Sequence, residues 1–118
     1  MDPEVFLGWF GTDAASRGLR AEFEAGTLAV VVPPTFTADV LEAAAAAGWR
    51  ADRLARLAAE IPKLGFNVAD PPADLLAGNL ERGLGGRGSA YLAVATAADL
   101  RVVTRDERLL RHPSAVAP

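Results

Sequence analysis

Cysteine is absent from these 118 residues, and histidine, lysine, methionine and tyrosine occur once each. Without thiols the chain can build neither a disulfide framework nor a thiolate metal site, which fits a reducing compartment. No apolar run is long enough to span a bilayer, and Met1 is followed by Asp2-Pro3-Glu4 in place of a basic signal-peptide start. A cytoplasmic protein that does not enter membranes is the expectation. Bulk positive charge is also missing: 12 basic against 15 acidic side chains leave a net charge of -3. That excludes holding nucleic acid by overall charge, though not by a local patch. Arg17, Arg20, Arg50, Arg53, Arg56, Arg82 and Arg87 form such a patch only if the fold converges them; scattered arginines are otherwise solvated. The near-exclusive use of arginine over Lys63 reads as genomic base composition. His112, between Arg111 and Pro113, reads as exposed and chemically idle.

What is present is a hydrophobic fraction of 51% with 23% charged residues, the composition of one folded domain over residues 1–118. Asp2-Pro3 followed by Val5, Phe6, Trp9 and Phe10 predicts a capped helix whose aromatic stripe packs in the core. A second helix is expected from Thr12 or Asp13 to about Ala25. Leu28 to Pro33 is a continuous apolar run, as in a strand buried on both faces of a parallel sheet. Helices follow over 35–47 and 51–61, then a short strand at 66–69 and a helix after Asp70-Pro71-Pro72 with Leu75, Leu76, Leu80 and Leu84 inward. The glycines of Gly83-Leu84-Gly85-Gly86-Arg87-Gly88 match no nucleotide fingerprint and read as a loose loop.

The chain is organised around Gly88 to Leu110. An alanine-rich helix, a turn at Asp99, a strand at 101–103 and a further helix after Thr104-Arg105-Asp106 make a helix–strand–helix crossover. Alternating strands and helices with no hairpin signal indicate an α/β fold with a mostly parallel sheet and a last edge strand at 115–117. Ligands of such sheets bind at the carboxyl ends of strands, where Asp106 stands.

Asp2-Pro3-Glu4-Val5 with Trp9-Phe10, Pro33 through Asp39-Val40, Ser89 through Ala95, and Val103-Thr104-Arg105-Asp106-Glu107-Arg108-Leu109 together resemble a PIN domain, the fold of the VapC-type toxins of bacterial toxin–antitoxin pairs. The resemblance covers nearly the whole chain, and the Val-Thr-x-Asp-x-x-Leu ending is its most specific piece. It implies a three-layer α/β/α fold with a mostly parallel central sheet, and a metal-dependent endoribonuclease of the type II toxin kind. Carried over, Asp2, Asp39 and Asp106 would be the catalytic acids and would hold Mg²⁺ or Mn²⁺, with Thr104 supporting Asp106. The implied partners are an RNA substrate, a cognate antitoxin and a second copy in a homodimer. Hard divalent ions do seek oxygen ligands, and clustered carboxylates repel unless a cation lies between them.

Departures accompany the match. Gly88 stands where the family carries its third acid, and Glu4 replaces a small hydroxyl residue, either compensating as a ligand or facing solvent. Glu42, one turn from Asp39, either shares its site or is a solvated helix residue. The family's first and central strand precedes the first Asp, so the sheet is expected to lack it. Three readings remain open: the ribonuclease, a catalytically inactive PIN-like protein that binds an antitoxin-like partner or RNA, and a truncated reading frame with no independent function.

Overall fold

The computed structural model describes all 118 residues. Asp2 has extended backbone and its Oδ1 accepts the amide of Glu4 at 2.9 Å, so cap and proline together start helix α1, Pro3–Leu7. A 3₁₀ turn at Gly8–Phe10 leads to α2, Ala14–Glu24, where Asp13 repeats the capping by accepting the Ser16 amide at 3.0 Å. A Cβ on Gly8 would lie 2.6 Å from Ser16 Oγ, so this glycine sets the close approach of the first two helices. After β1, Val31–Val32, come α3, Phe36–Ala46, and α4, Ala51–Glu60, the latter turning its Leu57 inward and Arg50, Arg53 and Arg56 to solvent. The chain continues through β2, Asn67–Val68, α5, Ala73–Glu81, α6, Arg87–Ala97, β3, Val102–Val103, and β4, Ala115–Val116. Asp99, between α6 and β3, takes the left-handed conformation at φ 54°, as the expected turn requires.

Phe6, fully buried, is the centre of the core. The rings of Trp9, Phe10, Phe36 and Phe66 lie 5.0 to 5.8 Å from its centroid, mostly edge to face, an arrangement that suits the aromatic quadrupole. Phe10 is the exception to the expected core stripe. It is 39% exposed, with the Arg20 guanidinium 5.3 Å above its ring. Leu80 likewise points outward on α5, at 63% exposure, because α5 buries Asn79 to bond the Ser89 carbonyl at 3.1 Å.

The fold is mixed α/β with parallel strands, and its sheet is split. β1 pairs in parallel with β2 and β3 with β4, but β1 and β3 are not bonded to each other. The Val30 and Val32 carbonyls accept the amides of Asn67 and Ala69, so by strand alternation Val31 turns its amide and carbonyl to the opposite side. The amides of Val102 and Thr104 go to Ser114 and Val116, and Val103 faces the gap, where its carbonyl accepts the Asp2 amide at 3.0 Å. Between the two edges lies a cavity of about 370 Å³ lined mostly by apolar side chains, among them Met1, Leu28, Val31, Leu100 and Val103. The run at 28–33 is therefore not a strand buried on both faces: Val30 and Val32 are buried, Val31 is half-buried and Ala29, beside the gap, is exposed. Only two of its residues enter a ladder because only one edge has a neighbour. The helix expected after Asp106 is shorter too, a 3₁₀ turn at Leu109–Arg111.

Candidate acidic site

Thr104 ends β3 and is fully buried, and its hydroxyl joins two segments of the chain. It donates to Asp2 Oδ2 at 2.9 Å and accepts the Asp106 amide at 3.0 Å. The sequence assigned Thr104 to the support of Asp106; in the fold it steadies the Asp106 backbone and the Asp2 carboxylate. Asp106 in turn accepts the Arg108 amide at 2.9 Å, with the Arg108 guanidinium 3.4 Å from its other oxygen. Burial works against the charge on Asp106, but these contacts from Arg108 and a further one from Leu109 outweigh it and hold the carboxyl below its ordinary range.

Asp39 comes from α3 and is gripped from α6. Its Oδ2 accepts the Tyr91 hydroxyl at 2.7 Å and the Thr35 hydroxyl at 2.9 Å, and Arg87 stands 3.7 Å from Oδ1. Burial pushes the Tyr91 phenol well above its usual range, and the hydrogen bond to Asp39 adds to the shift, so Tyr91 serves as a fixed donor. Arg87 also bonds Glu42 at 2.7 Å, so one guanidinium joins Asp39 and a surface-exposed Glu42.

A cavity of about 460 Å³ is lined by Asp2, Glu4, Tyr91 and Asp106, together with Arg87, Arg105 and Arg108. Of the residues the sequence singled out, Asp2, Glu4 and Asp106 meet here over Thr104. Asp39 and Glu42 do not line it; Asp39 is held at its rim through Tyr91 and Arg87, which do. No three acidic or histidine side chains converge closely enough for an all-protein metal cage. Magnesium, however, is commonly held by one or two carboxylates with water and substrate phosphate filling the rest. Asp2 and Asp106, each oxygen of which keeps lone pairs beyond its present hydrogen bond, fit that donor set; the three-acid set does not.

Gly88 is fixed by packing. A Cβ there would lie 2.6 Å from Leu109 Cδ1 and 3.3 Å from two further Leu109 atoms, and Leu109 is buried. An acid at this position would displace the core side chain beneath it. Of the arginines at the rim, Arg87 was a patch candidate, while the roles of Arg105 and Arg108 escaped the sequence reading. Arg105 pairs with Asp13 and Arg108 with Asp106. Only the second had a local signal, an Asp followed two residues later by a donor, the spacing of an Asx turn. No helix is long and apolar enough to cross a membrane. No protein-family model matches this chain, and neither a curated protein nor a solved structure does.

Proposed function

We propose that this chain is a PIN-like, metal-dependent endoribonuclease with a reduced acidic site, built on the three-layer α/β/α plan that the sequence resembles. The observation that carries the reading is the Thr104 hydroxyl, which brings Asp2 and Asp106 to one cavity from opposite ends of the chain. Asp2 and Asp106 would hold Mg²⁺ or Mn²⁺, with Asp39 as an outer acid. When bound, such an ion acidifies a water and offsets charge on phosphate oxygens. The chain's own part is preorganisation. Thr104 fixes Asp2, the Arg108 contacts keep Asp106 ionised near neutral pH, and Tyr91 fixes Asp39. Arg87, Arg105 and Arg108 offset the acids at the rim, so that an anionic phosphodiester meets a balanced field instead of bare carboxylates. The test is cleavage of a 5′-labelled single-stranded RNA with Mg²⁺ or Mn²⁺. Asp106→Asn and Asp2→Asn abolish it; equal cleavage by wild type and variants defeats the reading.

Gly88 favours a second reading, in which a PIN-like protein without catalysis binds RNA or an antitoxin-like peptide. Retained RNA binding with no metal-dependent cleavage identifies it. Cytoplasmic location, a cognate antitoxin and a homodimer belong to either proposal, and sedimentation of the purified chain tests the last.

A further inference from the structure

Arg108 lines two cavities. One is the acidic cavity; the other, of about 700 Å³, lies between the C-terminal end of α5, the outer side of α6 and the 3₁₀ turn at Leu109–Arg111. Its charged lining is Arg82, Arg108, Arg111 and His112, and it contains no carboxylate. In a chain with 15 acidic against 12 basic residues, a groove walled by three arginines, of which Arg108 is paired with Asp106 and Arg82 and Arg111 with no acid, is a local reversal of sign.

The hydrogen bonding at its centre is incomplete. His112, expected to be exposed and idle, is half-buried, and its Nδ1 accepts the Ser114 amide at 3.0 Å. A neutral imidazole then carries its hydrogen on Nε2. That nitrogen stands 3.1 Å from the Arg82 guanidinium, which has only donors. Both ring nitrogens thus face donors, while a neutral imidazole accepts at only one. With Nδ1 accepting from Ser114, the Nε2–H and the Arg82 guanidinium are two donors side by side, which an acceptor lying against both would satisfy. Burial, with Arg82 adding to it, lowers the His112 pKa from its ordinary value and keeps the ring neutral in this arrangement. An oxyanion accepting from Arg82 and from His112 Nε2–H removes the conflict, and Arg111 and Arg108 supply further charge.

We propose that this groove binds phosphates of a single-stranded RNA, with Arg82, Arg111 and His112 holding one backbone phosphate and Arg108 passing the strand to the acidic cavity. The RNA as ligand rests on the ribonuclease reading; the phosphate chemistry rests on the groove itself. Inorganic phosphate and a fluorescein-labelled 12-nucleotide RNA are the probes, used on the full chain with Asp106→Asn to prevent cleavage. Phosphate shifts the His112 ring resonances, and the shift vanishes in Arg82→Gln/Arg111→Gln. That double variant binds the RNA about tenfold more weakly, a loss of about 1.4 kcal/mol for the two charged contacts together. Its salt slope falls by about 1.4, as expected for two lost contacts to a single strand. Arg82→Lys/Arg111→Lys keeps much of the affinity, and a thermal melt matching wild type shows that the Gln variant is folded. Unchanged RNA affinity and slope in the Gln variant, or a His112 spectrum indifferent to phosphate, overturns the proposal, as does tighter binding of polyglutamate than of RNA. A wild-type chain that binds through the groove but never cleaves ends the nuclease reading alone.

Discussion

Thr104 and Asp2, 102 residues apart, share a hydrogen bond of 2.9 Å through which the two termini of the domain meet at one site. Removing the hydroxyl leaves the Asp2 oxygen and the Asp106 amide short of a partner in a part-buried place. Thr104→Val is expected to cost about 1–3 kcal/mol in urea unfolding, and Thr104→Ser less. RNA cleavage falls further than stability alone accounts for, since Asp2 loses its orientation. A Val variant as stable and as active as wild type would show that the bond organises nothing.

Gly88 and Leu109 make the second prediction. Gly88→Ala forces a methyl group against a buried leucine and is expected to destabilise by about 1–3 kcal/mol. Leu109→Val makes room, so Gly88→Ala/Leu109→Val is less destabilised than the sum of the two single changes. Additive costs in chemical denaturation would mean that the two sites do not touch.

Met1 gives a pH dependence. Burial lowers the α-amino pKa from 8.0 to about 6, with Asp2 opposing part of the shift. The folded 118-residue chain with a free amine binds this proton less readily than the unfolded one. The contribution is full above pH 8 and is lost as pH falls through 6, a difference of about 3 kcal/mol. His112, also lowered, adds in the same direction, so Nα-acetylation is the control that isolates Met1. Melts of the free and acetylated chains that track each other from pH 8 to pH 6 would refute the assignment.

The split sheet makes a fourth. Val31 turns its backbone groups toward an apolar gap that Met1 enters, and Val103 faces the same gap with its carbonyl taken by the Asp2 amide. Four β-branched residues fused ahead of Met1 are expected to pair with both edges and to raise the melting temperature by several degrees, about 4–8 °C for each kcal/mol gained in a domain of this size. An unchanged or lower melting temperature would mean that the gap does not accept a strand.

The local elements were legible because local chemistry decides them. Asp2-Pro3 and Asp13 cap helices, glycines and Asp99 turn the chain, and 3.6-residue spacing puts Leu57 inside with Arg53 and Arg56 outside. The proximity of Asp2 and Asp106 was readable only through a family resemblance, since nothing between residues 2 and 106 encodes a distance. Tertiary structure alone decided the rest. It set Asp39 at the rim because the Tyr91 hydroxyl and Arg87 hold it there, and made Gly88 a packing requirement through Leu109. It also opened the sheet between Val31 and Val103 and drew Arg82, Arg108, Arg111 and His112 to one groove. The sequence by itself determined where most helices start and stop and which side chains are charged, though not that the segment after Asp106 makes only a 3₁₀ turn. Which of those charges face one another was decided by packing, because Coulomb interactions and hydrogen bonds depend on separations in space that a one-dimensional pattern does not contain.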